Sequence, residues 1–274
     1  MKPYLAAAVQ MTSLPDVQHN LSQAEDLIQL AANRGAELVC LPENFSFLGD
    51  EEAKVKQAQE IATASQDFLV LMARRYHVTL LGGGFPVPAL GDTTGKMFNT
   101  ALLVSPEGEE LARYRKMHLF DVNLPDGNTY QESQTIVAGA EPPPVFYSDR
   151  LGNLGLSVCY DVRFPELYRY LASEGANILF VPAAFTAFTG KDHWQVLLQA
   201  RAIENTCYVI APAQVGLHNP RRQSHGHAMI VDPWGTILSD AGDQTGVAIA
   251  EITPSRLEQV RRQMPSLQHR VFKL

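Results

Sequence analysis

Residues 153–166 read Asn153-Leu-Gly-Leu-Ser-Val-Cys-Tyr-Asp-Val-Arg-Phe-Pro-Glu166, and the fold is read outward from them. Residues 154–158 are a short, mostly apolar run behind a Gly-Asn turn, which predicts a buried strand and not a helical segment. Cys159 stands where that strand ends. From Phe164 or Pro165 to Ser173 the pattern predicts a helix; Pro is tolerated in the first turn, where its missing N–H costs nothing. A cysteine between strand and helix faces backbone N–H groups that favour thiolate and can hold an oxyanion. A lone Cys is more often inert packing. Here Tyr160, Asp161 and Arg163 crowd polar chemistry around the sulfur, and Cys159 reads as a nucleophile.

Upstream, residues 5–11 predict a strand and 20–33 a helix, with Leu21, Ala24, Leu27, Ile28 and Ala31 at helical spacing before Gly35. Residues 36–41 predict a second strand, with Pro42 and Glu43 just past its end. A polar stretch over 50–76 carries Ile61, Ala64, Phe68, Leu69 and Met72 on one helical face. Residues 78–85 predict a strand containing Gly82, Gly83 and Gly84. Residues 96–104 and 109–115 form a hairpin around Ser105-Pro-Glu-Gly108. Residues 116–150 read as irregular, and so long a connection is usually functional or disordered.

Downstream, residues 176–181 predict a strand and 192–205 a helix carrying Trp194, Leu197, Leu198 and Ala202. Strands follow over 207–214, 226–231, 236–238 and 247–252. A terminal helix spans 253–264, with Thr253 as N-cap and Pro254 at its first position. Helices alternate with strands early and short turns join strands late. That mixture implies the α/β class and two sheets, each covered by helices outside, a four-layer α-β-β-α sandwich. No repeat or linker divides the chain, so residues 1–274 read as a single domain, with a core over about 3–252 and a helix and tail over 253–274.

The 274 residues are 46% hydrophobic and 19% charged, ordinary for an enzyme with a sizeable core. Cys40, Cys159 and Cys207 are scattered and odd in number, which argues against a disulfide framework and for a reducing, cytoplasmic setting. The basic and then apolar N-terminus is too short to span a membrane and continues as strand. A net charge of -7 offers no footprint for nucleic acid or an anionic membrane.

Three predicted strands end on a reactive residue: Glu43, Lys116 and Cys159. In sheets flanked by helices, such strand ends commonly form the ligand crevice. Singly, Glu43 reads as a cap and Lys116 as one of a basic group with Arg113 and Arg115. A carboxylate, an ammonium and a thiol together make an enzyme case. Leu-Pro-Glu-Asn at 41–44, Tyr-Arg-Lys-Met-His-Leu at 114–119 and Cys-Tyr-Asp-Val-Arg-Phe-Pro-Glu at 159–166 resemble the signature stretches of the nitrilase superfamily, the carbon–nitrogen hydrolases. The resemblance covers nearly the whole chain. It implies the α-β-β-α sandwich, pairing with a second copy through helices, and a Glu43–Lys116–Cys159 triad. Stretches 190–205, 225–235 and 261–270 further resemble the deaminated glutathione amidase branch. Lys191 and the ending at 270–274 depart from that branch. The omega-amidase branch is similar at the triad and less so over 261–270.

The resemblance implies an amidase that works through a Cys159 thioester, with Glu43 as general base and Lys116 and the Tyr160 N–H holding the oxyanion. Glu132 matches a second family glutamate that orients Lys116; read alone it is a solvated loop carboxylate. The guanidinium fork of Arg163 suits a substrate carboxylate. Phe185 and Thr186 read as pocket wall; Arg163 is the candidate for a ketoacid carboxylate, and Lys191, Arg221 or Arg222 for the edge of a basic space around the peptide half of the substrate. The implied substrate is a small anionic amide, deaminated glutathione, cleaved to alpha-ketoglutarate and cysteinylglycine; the implied partner is another copy of the chain, in a homodimer or higher homo-oligomer. No cofactor and no metal are called for. His225 and His227, with His218 and Asp232 nearby in sequence, lack a third ligand at metal spacing. Gly82–Gly84 lacks the Lys-Ser/Thr of a phosphate loop and reads as close backbone packing. Trp194 reads as core, and Arg201 and Glu204 as structural partners. An omega-amidase or other small-amide or nitrile hydrolase stays open, as does a non-catalytic scaffold, against which the intact triad speaks.

Overall fold

The computed structural model spans the chain and describes every residue except 90, 92, 93, 221, 273 and 274. In chain order, β1 (Tyr4–Met11), α1 (Val17–Asn33) and β2 (Ala36–Cys40) come first, then α2 (Glu51–Lys56), α3 (Ala58–Tyr76) and β3 (Thr79–Pro88). β4 (Met97–Val104) and β5 (Glu110–Arg115) form the predicted hairpin. The stretch read as irregular contains a small hairpin, β6 (Asp121–Asn123) with β7 (Thr129–Gln131), and then β8 (Val145–Ser148). β9 (Gly152–Gly155), α4 (Pro165–Ser173), β10 (Ile178–Phe180), α5 (Ala187–Asn205) and β11 (Tyr208–Ala211) follow. β12 (Ala213–Asn219), β13 (Arg222–His225), β14 (Met229–Val231), β15 (Ile237–Asp240), β16 (Gly246–Ile252) and α6 (Pro254–Gln263) complete the described elements.

One sheet runs β13-β12-β1-β2-β3-β4-β5, with β16 antiparallel along β1. The second runs β15-β14-β11-β10-β9-β8. The period-two alternation of β1 explains the layering. Ala6 and Ala8 point into a core shared with Leu154, Ile178 and Phe180 of the second sheet region. Ala7 and Val9 point the other way, onto Ala24 and Ile28 of α1 and Leu69 and Met72 of α3. Trp194 and Leu198 of α5 and Leu171 of α4 cover the second sheet. The result is the expected α-β-β-α sandwich. No helix among the described residues is long and apolar enough to cross a membrane.

Several local readings are corrected. The strand expected over 154–158 is β9, which ends at Gly155; the chain stays buried through Val158 but leaves the ladder. The helix expected from Phe164 or Pro165 to Ser173 is α4 as read. A five-residue 3-10 turn, Cys159–Arg163, intervenes before α4, whose Pro165 does stand in the first turn. The long helix over 50–76 is broken at Gln57 into α2 and α3. The single strand expected over 207–214 is two, in different sheets. Pro212, with no N–H for a ladder, sits at the crossing from β11 to β12. β13 was not anticipated. Thr253 is the N-cap of α6 but makes no side-chain cap bond; its carbonyl accepts from the Tyr208 hydroxyl instead.

Candidate active site

Glu43, Lys116 and Cys159 lie just beyond β2, β5 and the buried run after β9, and the facing sheets bring all three to one cavity of about 910 Å³. The Gly82–Gly84 run of β3 makes room for the Glu43 segment. A Cβ on Gly83 would stand 2.5 Å from the Leu41 carbonyl oxygen, and one on Gly84 1.9 Å from Asn99 Oδ1. With only hydrogen there, Leu41 N–H bonds the Leu81 carbonyl and Asn44 N–H the Gly84 carbonyl, which seats Pro42 and Glu43 over the sheet.

Lys116 is 2% exposed and held between two carboxylates. Its Nζ lies 3.0 Å from Glu43 Oε1, and 3.0 and 2.9 Å from the two oxygens of Glu132. Asn99 Nδ2 donates to Glu43 Oε1 at 2.8 Å and to Glu132 Oε1 at 3.2 Å. The other Glu43 oxygen accepts the Ala184 N–H at 3.0 Å. Glu132 is further fixed by the Phe120 N–H at 2.7 Å. Thus Glu132, read from sequence as either a solvated carboxylate or an orienting one, is bonded to Lys116 at the cavity wall. Asn99 was missed; an Asn inside an apolar strand was its one signal.

Cys159 occupies the left-handed region, φ 48°, as does Asn44 beside Glu43, φ 59°. Such a conformation costs about 1–3 kcal/mol and persists only where the surroundings impose it. At Cys159 they do. Its N–H bonds the Pro182 carbonyl at 2.9 Å. Two residues on, the fully buried Asp161 accepts from the Val158 N–H and the Tyr114 hydroxyl, both at 2.8 Å, and pairs with His118 Nδ1 at 2.7 Å. Asp161, noted from sequence only as a polar neighbour, ties the cysteine turn to the segment bearing Lys116.

The electrostatics correct one expectation. Burial, and next the Glu43 charge, push the Cys159 thiol well up, against the downward pull of Lys116. Burial and the Glu43 charge thus outweigh the thiolate-favouring effect read from the strand–helix position, which leaves a thiol proton for Glu43 to take, as the general-base reading requires. Burial alone would raise the Glu43 carboxyl, but the Lys116 ammonium, by charge and hydrogen bond, and a hydrogen bond with Cys159 outweigh it and hold Glu43 low. Lys116 would be lowered by burial, yet Glu132 and Glu43 hold it well above its ordinary value. An ionised carboxylate beside a protonated thiol is the pairing a base needs before proton transfer.

Tyr160, Phe185 and Thr186 line the cavity, as expected of the wall. Arg163 does not. Its guanidinium lies over the Phe185 ring at 5.1 Å and the Tyr160 ring at 5.9 Å, and contacts His193 Nδ1 at 3.2 Å. Lys191 also misses the cavity and lies over Phe188 at 5.5 Å. Arg222 lines it, and Arg221 lies outside the described residues. His225 and His227 stack at 4.9 Å, and His227 spends its ring nitrogens on Asp240 and Asp243, at 3.0 and 3.1 Å. Trp194 is fully buried, and Arg201 pairs with Glu204 at 2.7 Å, as read.

A model of the carbon-nitrogen hydrolase family matches residues 5–262. A deaminated glutathione amidase of Synechocystis sp. is 70% identical over 272 residues, 99% of this chain and 100% of that protein. The Caenorhabditis elegans NitFhit protein superposes with a TM-score of 0.93 at 39% identity over 99% of this chain, which spans 66% of that structure's length. An amidase from Nesterenkonia sp. AN1, in a mutant form with acrylamide added at its active-site cysteine, superposes at 0.78 with 30% identity, over 97% of this chain and 100% of its own.

Proposed function

The chain belongs to the carbon–nitrogen hydrolase family and is an amidase, and we propose that it hydrolyses deaminated glutathione to alpha-ketoglutarate and cysteinylglycine through a thioester on Cys159. The observation that carries the chemistry is the convergence of Glu43, Cys159 and a doubly paired Lys116 on one cavity. The 70% identity to a full-length deaminated glutathione amidase supports the choice of substrate.

Glu43 takes the thiol proton as the sulfur attacks the amide carbonyl carbon. The Lys116 ammonium and the Tyr160 N–H stabilise the oxyanion, with about 3–4 kcal/mol for one such donor in other enzymes. As the C–N bond breaks, Glu43 hands its proton to the leaving amine. It then takes a proton from water, which attacks the thioester, and returns it to sulfur as the C–S bond breaks. Glu132 and Asn99 keep Lys116 and Glu43 in register. The core that runs from Tyr4 to Leu257 supports treating residues 1–274 as one catalytic unit. Phe188, Val196 and Ile203, exposed along one stripe of α5, support pairing with a second copy. The free Cys40, Cys159 and Cys207 fit a cytoplasmic setting.

The test compares kcat/KM for deaminated glutathione and alpha-ketoglutaramate, with alpha-ketoglutarate as the common readout. Deaminated glutathione is expected to be the faster substrate; the reverse order moves the protein to the omega-amidase reading.

A further inference from the structure

Three cations line the cavity among the described residues: Lys54, Lys116 and Arg222. Two are already held. Lys116 has Glu43 and Glu132, and Lys54 has Glu51 at 2.7 Å. Arg222 opens β13, on the same wall as Thr186, to which Ser224 of that strand is bridged. Its Nε is buried and has no hydrogen-bond partner. The Glu51 Oε1 atom stands 3.9 Å from its Nη1, too long for a hydrogen bond and already bonded to Lys54, while Glu51 Oε2 accepts from Thr135. Asp50, on the same wall, is engaged at the N-terminus of α2.

A buried guanidinium N–H without an acceptor is unfavourable unless a ligand supplies one, and the fork matches a carboxylate. The cavity is also polarised. The Cys159 end holds two carboxylates to one ammonium, and the Arg222 end two cations to Asp50 and Glu51, whose carboxylates are already engaged by the α2 N–H groups, Lys54 and Thr135. An anionic group on the substrate is drawn to the second.

We infer that Arg222 binds a carboxylate on the amine half of the substrate, and so selects amides whose leaving group is itself an acid. This rests on the amidase reading above, in which the acyl half stays on Cys159 and the amine departs past Glu43. Arg222 lies on the Glu43 side: β13 belongs to the same sheet as β2, beyond whose end Glu43 stands, whereas Cys159 follows β9 of the second sheet. In deaminated glutathione the group bound is the glycine carboxylate of the departing cysteinylglycine.

The test uses deaminated glutathione, its glycine methylamide and alpha-ketoglutaramate, which share one acyl group, on wild type, Arg222→Gln and Arg222→Lys. Wild type is expected to show a lower KM for the acid than for the methylamide. Arg222→Gln is expected to raise KM for the acid by about tenfold or more, leave the other two within about twofold, and keep the melting temperature; Arg222→Lys falls between. Calorimetric titration of the acid and the methylamide into Cys159→Ala, with and without Arg222→Gln, reads the same ratio without turnover. Equal affinity of wild type for acid and methylamide overturns the inference. So does an equal loss on all three compounds, which places Arg222 on the acyl half or in the fold. Faster turnover of alpha-ketoglutaramate by wild type overturns the substrate reading alone, because the acid-to-methylamide ratio still decides the role of Arg222.

Discussion

Glu132 grips the Lys116 ammonium with both carboxylate oxygens, at 3.0 and 2.9 Å, while Glu43 holds the same nitrogen at 3.0 Å. A buried ammonium between the buried Glu43 and the half-buried Glu132 has few other orientations open to it, so its charge is aimed before substrate arrives. Glu132→Gln keeps the shape and removes one charge. We expect kcat to fall about a hundredfold with little change in KM, the signature of a misplaced oxyanion donor. Steady-state kinetics within threefold of wild type would remove Glu132 from the machinery.

Asn99 donates to Glu43 and Glu132 through one nitrogen, and so sets the spacing of the two carboxylates. Asn99→Ala leaves both with an unfilled acceptor. A loss of about tenfold or more in kcat is expected, with a lower melting temperature. A melting temperature that falls while kcat holds would show that Asn99 serves the fold only.

Cys159→Ala should abolish turnover and leave the fold intact, since only a sulfur at the cavity wall is lost. Mass spectrometry of wild type mixed rapidly with a slow amide should place the acyl group on Cys159. Cys40 and Cys207 are fully buried, and an adduct on either would refute the nucleophile assignment.

The pH dependence follows from Glu43 and Lys116. Glu43 is held below its ordinary carboxyl value, so its contribution to stability is complete above about 4.3 and is lost as pH falls through its lower folded value. Lys116 is held above its ordinary value, so its contribution is complete below about 10.4 and is lost as pH rises through the higher folded value. The acid limb of kcat/KM should accordingly lie below the ordinary carboxylate range, and Glu43→Gln should flatten the acid side of the melting-temperature profile. An acid limb centred near 6.5, which belongs to histidine, would contradict this.

Glu43 and Cys159 were legible because each follows an apolar run of strand length, and Lys116 because it follows the second strand of a hairpin marked by its Pro-Glu-Gly turn; residue order alone states where such runs stop. The layers were legible for a similar reason: alternation in β1 and helical spacing in α1 and α3 are local patterns that fix which faces are apolar. Glu132 was legible by resemblance, since nothing in its own neighbourhood separates it from a solvated loop residue. Other features needed the packed molecule. Asn99 meets Glu43 across 56 positions of sequence, through the register of β3 on β4 and the bare Gly84 between them. Pro212 marks a change of sheet only once β11 and β12 have found different partners. Arg163 and Arg222 carry the same fork, and composition cannot rank them. The 3-10 turn that ends at Arg163 leaves its guanidinium over the Phe185 ring, while the bridge between Thr186 and Ser224 brings Arg222 to the cavity wall. Local patterns specify elements and their buried faces. Side-chain direction at an irregular turn and contact between distant strands are set only when the two sheets close on each other, because the free energy that selects them comes from that closure.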